Sequence, residues 1–422
     1  MSVYERVQQA LTEAKTKGDK NGLNCIAELD MTAVEQAKEL DACRKTEIGD
    51  FWGTPILVKD NIDVKGLHTT AGSLALEDNI AKEDAPVIRN LRKNGAVILG
   101  KTNMTEFANY TTNGMPGGYS SRGGQVIHAV DPRLSPSGSS SGSAVAVAAG
   151  IVDGAVGTDT SFSIILCALD NGICGLKPPV GALSSEGIIP LAKTLDSAGA
   201  MARDFTTTLR LYSAMREEPL PKLQAAEYNA LKIAINTANH KMMSLGQNKF
   251  RRHVTRLLKR RGASIRKIEQ MPTPLQGTIM KYEFKAHLEE YLGTSAASRK
   301  TLKEIVEYYE ANPDTMMKYG NTLLKAALGE TPVGLQSEEY LRAMEERSKM
   351  MREVREELAD YDAVIVCGPT NIMHFCGLPS VTIVGSQKNA FGVRRGVMLY
   401  GVDEYRLYRA ALAIEKLIRD ER

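Results

Sequence analysis

Two serine-rich stretches, Ser135-Pro-Ser-Gly-Ser-Ser-Ser-Gly-Ser143 and Gly157-Thr-Asp-Thr-Ser-Phe-Ser163, are joined by a small-residue segment and preceded by Leu57-Val-Lys59-Asp60. Serine hydroxyls and a lysine amine brought to one place could supply a nucleophile, a proton relay and a base without any histidine. A Gly/Ser cluster on its own reads as a flexible linker. Here it opens directly into Ala144-Val-Ala-Val-Ala-Ala149, a compact helix former whose small residues suit tight packing against a sheet. Gly138 and Gly142 sit at turn positions among the serines. A loop pinned between a sheet and a buried helix would gather backbone N–H groups and hydroxyls at a helix N-terminus, where developing negative charge is stabilised.

Apolar spacing indicates which elements hold that loop in place. Val3, Val7, Leu11 and Ala14, then Ala33, Ala37 and Leu40, recur at helical intervals and predict a helical collar. Thr54-Pro-Ile-Leu-Val-Lys59 is a short buried-strand pattern; Ala85-Pro86 opens a helix through Leu91 that stops near Gly95, before the strand Ala96-Val-Ile-Leu-Gly100. This alternation is that of an α/β protein. Beyond Asp204 the pattern is mainly helical, with strands predicted at Leu231–Ile235 and Ala263–Ile268 and long charged helices from about 275 to 358, punctuated at Asn312-Pro313 and Thr331-Pro332. Strands return at 363–366, 381–384 and 396–400, and an amphipathic helix closes the chain from about 403 to 419. No internal repeat or low-complexity linker interrupts this order, and one domain over 1–422 is expected.

With 422 residues and 43% apolar content the chain can bury a large core. The net charge of +3 is spread over interspersed acids and bases, unlike a phosphate-tracking surface, so no nucleic-acid partner is expected. The Lys259-Arg-Arg-Gly-Ala-Ser-Ile-Arg-Lys267 cluster reads as a solvated helix end and strand edge. Cys25, Cys43, Cys167, Cys174, Cys367 and Cys376 show no zinc-ligand spacing with supporting histidines and read as reduced residues of a cytoplasmic protein, with neither metal nor cofactor expected. The N-terminus lacks a basic region followed by an apolar run, and no stretch approaches the roughly 20 apolar residues of a membrane span.

Several motifs in order resemble the amidase signature family. They are Gly53-Thr-Pro-Ile-Leu-Val-Lys59-Asp60, Gly100-Lys-Thr-Asn-Met104, the two serine-rich stretches through Ile164, Gly172-Ile-Cys-Gly-Leu-Lys-Pro178, Asp196-Ser-Ala-Gly-Ala-Met-Ala-Arg203 and Cys376-Gly-Leu-Pro-Ser-Val381. The likeness is close from about 50 to 205, the expected catalytic core, and returns more weakly after 360. It implies a large mixed twisted β-sheet surrounded by α-helices, and a Ser-cisSer-Lys triad carried by Ser163 as nucleophile, Ser139 as relay and Lys59 as base. Backbone N–H groups of Thr160, Ser161 and Phe162, with that of Ser163, would form the oxyanion hole. The chemistry agrees: a serine hydroxyl needs an adjacent base, and His68, His128, His240, His253, His287 and His374 fall in no nucleophile–base motif. Lowering a free lysine pKa of about 10.4 by about 3 units costs roughly 4 kcal/mol, which an apolar pocket such as that expected after Ile56-Leu-Val58 can impose.

Two departures from the family pattern stand out. Ser161 and Phe162 replace the two glycines usual before the nucleophile, and Ile165 stands where an arginine is common, which leaves Asp159 without that partner. The reading favoured here is a subfamily in which Phe162 forms one wall of a remodelled pocket. Tyr110, in a segment that lines the active site by resemblance, is a further substrate contact. Met280, Tyr282, Phe284 and Tyr291 of the helical region between 205 and 360 fit a core better than a pocket lining. The function implied is hydrolysis of a small acyl amide, in a protein whose assembly could be a homodimer. The alternatives are the glutamine-hydrolysing, amidase-like subunit of a tRNA amidotransferase, which the short Pro369–Cys376 span argues against, and a non-catalytic binding protein.

Overall fold

The computed structural model describes residues 1–43, 49, 51–270 and 272–420. In chain order its strands are β1 (Ile26–Leu29), β2 (Pro55–Lys59), β3 (Val97–Thr102), β4 (Tyr119–Ser120), β5 (Gly124–Gln125), β6 (Gly154–Asp159), β7 (Cys174–Lys177), β8 (Ser197–Ala202), β9 (Lys232–Asn236), β10 (Ser264–Ile268), β11 (Ala363–Val366), β12 (Ser380–Lys388) and β13 (Arg394–Tyr400). Apart from the β4–β5 ribbon they form one 11-stranded sheet in the order β1-β3-β2-β6-β8-β7-β12-β13-β11-β9-β10. β2 runs parallel to β3 and β6, and β9 parallel to β10 and β11. From β6 through β8, β7, β12 and β13 to β11 every neighbour is antiparallel, so the sheet is mixed, as expected.

Helices cover both faces, and β2 shows why its sequence is an unbroken apolar run. Successive side chains of a strand point to opposite faces. Leu57 joins the cluster that includes Ala144 and Val145 of the helix Ser141–Ala148, whereas Ile56 and Val58 join the one that includes Val87, Ile88 and Leu91 of the helix Pro86–Lys93. A strand with helices on both sides must be apolar on both. The collar appears as the helices Val3–Lys17 and Ala33–Ala42, with Val7, Ala14, Ala33 and Ala37 fully buried. At the far edge β10 exposes Ser264, Arg266 and Lys267. Charged side chains of this kind keep an edge strand from pairing with other chains.

The helix expected from Ala144 begins earlier, at Ser141. Its serines are tolerated because their hydroxyls are satisfied locally: Ser141 Oγ donates to Ser137 O at 2.7 Å and Ser143 Oγ to Val156 O at 3.0 Å. Gly142 lets the helix lie on neighbouring backbone, since a Cβ there would stand 2.4 Å from Asn103 O and 2.5 Å from Cys25 O. Gly142→Ala is therefore expected to lose about 1–3 kcal/mol of stability through overpacking, read as a shifted midpoint in urea unfolding. Among the described residues, no helix is long and apolar enough to cross a membrane.

Candidate active site

Three chain segments converge where β2 and β6 end side by side. β2 delivers Lys59 as its last residue; β6 ends at Asp159 and leads through a turn to the helix Ile165–Asn171; the cis peptide Gly138–Ser139 sets Ser139 just ahead of the helix Ser141–Ala148. Lys59 Nζ lies 2.7 Å from Ser139 Oγ, and Ser139 Oγ lies 3.0 Å from Ser163 Oγ. Lys59 and Ser139 are wholly buried, and Ser163 is 6% exposed. Burial pushes the Lys59 ammonium down to about 7, only partly offset by nearby acidic groups. The structure thus assembles the lysine and both serines named from sequence into one hydrogen-bonded chain.

Sequence reasoning passed over the groups that hold the lysine. Thr158 accepts from Lys59 Nζ at its hydroxyl, 2.7 Å away, and at its carbonyl, 3.2 Å away. Asn61 Nδ2 in turn donates to the Thr158 hydroxyl at 3.1 Å and to Ile189 O at 3.1 Å. Thr158 lay inside a quoted motif. Asn61 follows Lys59 by two residues, a spacing that could have marked it.

The turn after β6 accounts for both departures. Asp159 Oδ2 accepts the backbone N–H groups of Ile164 and Ile165 at 2.7 and 3.2 Å, and its Oδ1 lies 3.1 Å from His374 Nε2. A histidine from the distant segment Ile372–Phe375 thus meets the carboxylate that Ile165 cannot pair with. Burial alone would raise the Asp159 carboxyl, yet His374 and the Ile164 N–H hold it down to about 2. Burial lowers His374 below its ordinary value, partly offset by Asp159. Phe162 occupies the left-handed region at φ +69°, where glycine is at ease and other residues cost roughly 1–2 kcal/mol. Its ring lies 4.6 Å from that of His374, centroid to centroid. Ser161 Oγ donates to Asn371 Oδ1 at 2.8 Å, so both substituted residues are held by the 371–374 segment.

A small cavity of 20 Å³ lies beside Thr158 and Thr160, lined also by Asn61, Ala108 and Asp196, with room for about one water molecule. Asp196 is pushed up to about 7 by burial and accepts from Thr160 Oγ1 at 2.5 Å. Tyr110 is buried, its ring tilted against Phe284 at 4.9 Å, two residues beyond Ala108. Phe284 and Tyr282 are likewise buried, Tyr291 donates its hydroxyl to Asp63, and Met280 packs against the core.

By class, this combination of fold and relatives defines a hydrolase acting on carbon–nitrogen bonds. The Amidase family model matches residues 7–376. A probable amidase of Arabidopsis thaliana is 30% identical over 427 residues, covering 93% of this chain and 83% of that protein. The crystal structure of native peptide amidase from Stenotrophomonas maltophilia superposes with a TM-score of 0.88 at 30% identity, covering 100% of this chain and 95% of that one. A glutamyl-tRNA(Gln) amidotransferase subunit of Symbiobacterium thermophilum is 45% identical over 185 residues, 43% of this chain and 37% of that protein. The chain belongs to the amidase signature family.

Proposed function

We propose that the protein hydrolyses the linear amide bond of a small acyl amide through an acyl-enzyme on Ser163. The observation that carries this reading is the unbroken chain Lys59–Ser139–Ser163, with links of 2.7 and 3.0 Å, ending on a lysine that burial brings to about 7. A neutral lysine amine has two protons and one lone pair. Its three neighbours match that count: the carbonyl and hydroxyl of Thr158 take the protons, and the lone pair faces Ser139.

Ser163 Oγ attacks the amide carbon as its proton passes to Ser139 and the proton of Ser139 passes to Lys59. The carbonyl oxygen becomes an oxyanion held by backbone N–H groups in the turn Thr160–Ser163, each such donor being worth about 3 kcal/mol in the transition state. The C–N bond breaks as the amine takes a proton from Ser139, which Lys59 restores. Water, deprotonated through the same relay, then cleaves the ester, releasing the carboxylic acid and freeing Ser163. Phe162 and the Ala108–Tyr110 segment are assigned to the substrate side. Thr158→Val removes the hydroxyl that takes one lysine proton, and kcat is expected to fall on the order of tenfold, the worth of about one hydrogen bond, with KM little changed in steady-state assays.

The likeness to peptide amidase over the whole chain supports a stand-alone enzyme, whereas the match to the amidotransferase protein spans less than half of it. A panel of C-terminally amidated peptides, aryl acetamides and glutamine, assayed with wild type and Ser163→Ala in parallel, tests the reading. Serine-dependent release of amine or ammonia from the first two classes supports it. Turnover of glutamine alone would favour the amidotransferase role, and no turnover a binding protein.

A further inference from the structure

His374 has no counterpart in the proton chain from Lys59 to Ser163, yet it is fully buried against the turn that ends on the nucleophile. Two groups compete for its Nε2. The Asp159 carboxylate lies 3.1 Å away and can only accept a proton; the Phe162 backbone N–H points at the same nitrogen from 2.9 Å and can only donate one. On the other side of the ring, Nδ1 has no hydrogen-bond partner among the described residues.

That asymmetry decides where the proton sits. With the proton on Nδ1, a buried donor would go unsatisfied, and the Nε2 lone pair would face the Asp159 lone pairs. With the proton on Nε2, both Nε2 and Asp159 Oδ1, which is otherwise without a partner among the described residues, are satisfied. Only an acceptor lone pair on Nδ1 is then left over. A buried donor or acceptor left unpaired is costly, so the arrangement with fewer of them prevails. Lys177, the other buried charge acting on this pair, donates to the carbonyls of Pro178 and Leu378 at 3.0 Å each.

We propose that His374 is a positioning residue for the oxyanion hole: with its proton on Nε2 and bound to Asp159, it offers no lone pair to the Phe162 N–H, which stays free to turn to the oxyanion. The same ring, stacked at 4.6 Å on Phe162, holds that residue at φ +69° where other members of the family commonly have glycine. His374 thereby anchors Asp159, whose carboxylate fixes the start of the following helix through Ile164 and Ile165, and orients the peptide next to the nucleophile. The inference rests on the proposed role of Ser163 and of the turn before it.

The test uses the full-length protein and a short-chain fluorophosphonate, whose phosphoryl oxygen also needs the oxyanion hole as Ser163 is phosphonylated. His374→Gln keeps an N–H near the place of Nε2 and is expected to label within a few-fold of wild type. His374→Leu fills the space without a donor and is expected to lower the maximal labelling rate on the order of 10²-fold, the loss typical of one oxyanion donor, with half-saturating probe concentration nearly unchanged. In ¹⁵N NMR of the wild type, with the His374 signals assigned by their loss in His374→Gln, Nε2 should be protonated and Nδ1 bare. Equal labelling by His374→Leu and wild type, a change confined to the half-saturating concentration, or a proton on Nδ1 would overturn the proposal; the NMR result stands even if His374→Leu fails to fold. Ser163→Ala run alongside separates the two levels. If it still labels, the nucleophile assignment has failed; if it does not and His374→Leu labels normally, only the role of His374 has.

Discussion

Ser163→Ala is expected to lower turnover of the hydrolysed amide on the order of 10⁶-fold, the loss seen when a serine nucleophile is removed from a catalytic unit. The effect is large because the rest of the relay has nothing to activate: Ser139, 3.0 Å away, would be left donating to solvent or to nothing. The fold should barely notice. One hydroxyl is lost from a residue 6% exposed, so stability should change by no more than about 1 kcal/mol. Steady-state kinetics together with a thermal melt separate the two outcomes. A variant that melts like wild type yet keeps more than about one part in a hundred of the activity would contradict the assignment, since a nucleophile cannot be so dispensable.

The second large effect concerns Lys59. The folded-state value near 7 lies below the lysine reference of 10.5, so the amine is neutral, and able to take a proton, above about pH 7. In the wild type kcat/KM should therefore rise with pH through about 7 and level off. Lys59→Met should lose on the order of 10⁴-fold, the upper range for a general base, together with that acidic limb. The same shift has a sign for stability. Between the folded value of about 7 and the unfolded 10.5, the unfolded chain binds a proton that the folded chain does not, so this residue's contribution improves as pH rises through that window. Below it, the penalty is constant at about 5 kcal/mol by linkage. Methionine removes the penalty and forfeits the hydrogen bonds to Ser139 and Thr158, worth about 1 kcal/mol each. Lys59→Met should thus be the more stable protein at pH 7, with an advantage that shrinks toward pH 10, as urea titrations at several pH values would show.

Much of this was legible because the informative segments are locally explicit. The run before Lys59 is apolar on both faces, and the serine stretch opens into a helix of small residues; both expectations held, the second with its start moved to Ser141. Other strands were hidden by their own composition. β6 and β8 read Gly-Ala-Val-Gly-Thr-Asp and Ser-Ala-Gly-Ala-Met-Ala, nearly without the β-branched and aromatic residues that advertise a strand. They are small because they are crowded: a Cβ on Gly199 would stand 2.2 Å from Leu176 O, and one on Gly157 2.8 Å from Ser140 Oγ. Edge strand β1 is only half-buried along its length, so it carries no alternation to read. His374 was missed for a different reason. Its partners Asp159 and Phe162 are more than two hundred residues away in the chain, and nothing in Ile372-Met-His-Phe375 marks a site. Ser161 and Phe162 were recognised as departures, while what compensates for them is visible only in three dimensions.

The central claim is that Ser163 is the nucleophile and that Lys59 activates it through Ser139. It is met most directly by intact-protein mass spectrometry after timed exposure to a fluorophosphonate across pH 5 to 9. The account predicts one adduct per chain, mapped to Ser163, forming at a rate that rises with pH through about 7 and loses that dependence in Lys59→Met. An adduct on any other residue, or labelling of Ser163 at a rate indifferent both to pH near 7 and to Lys59→Met, would contradict it.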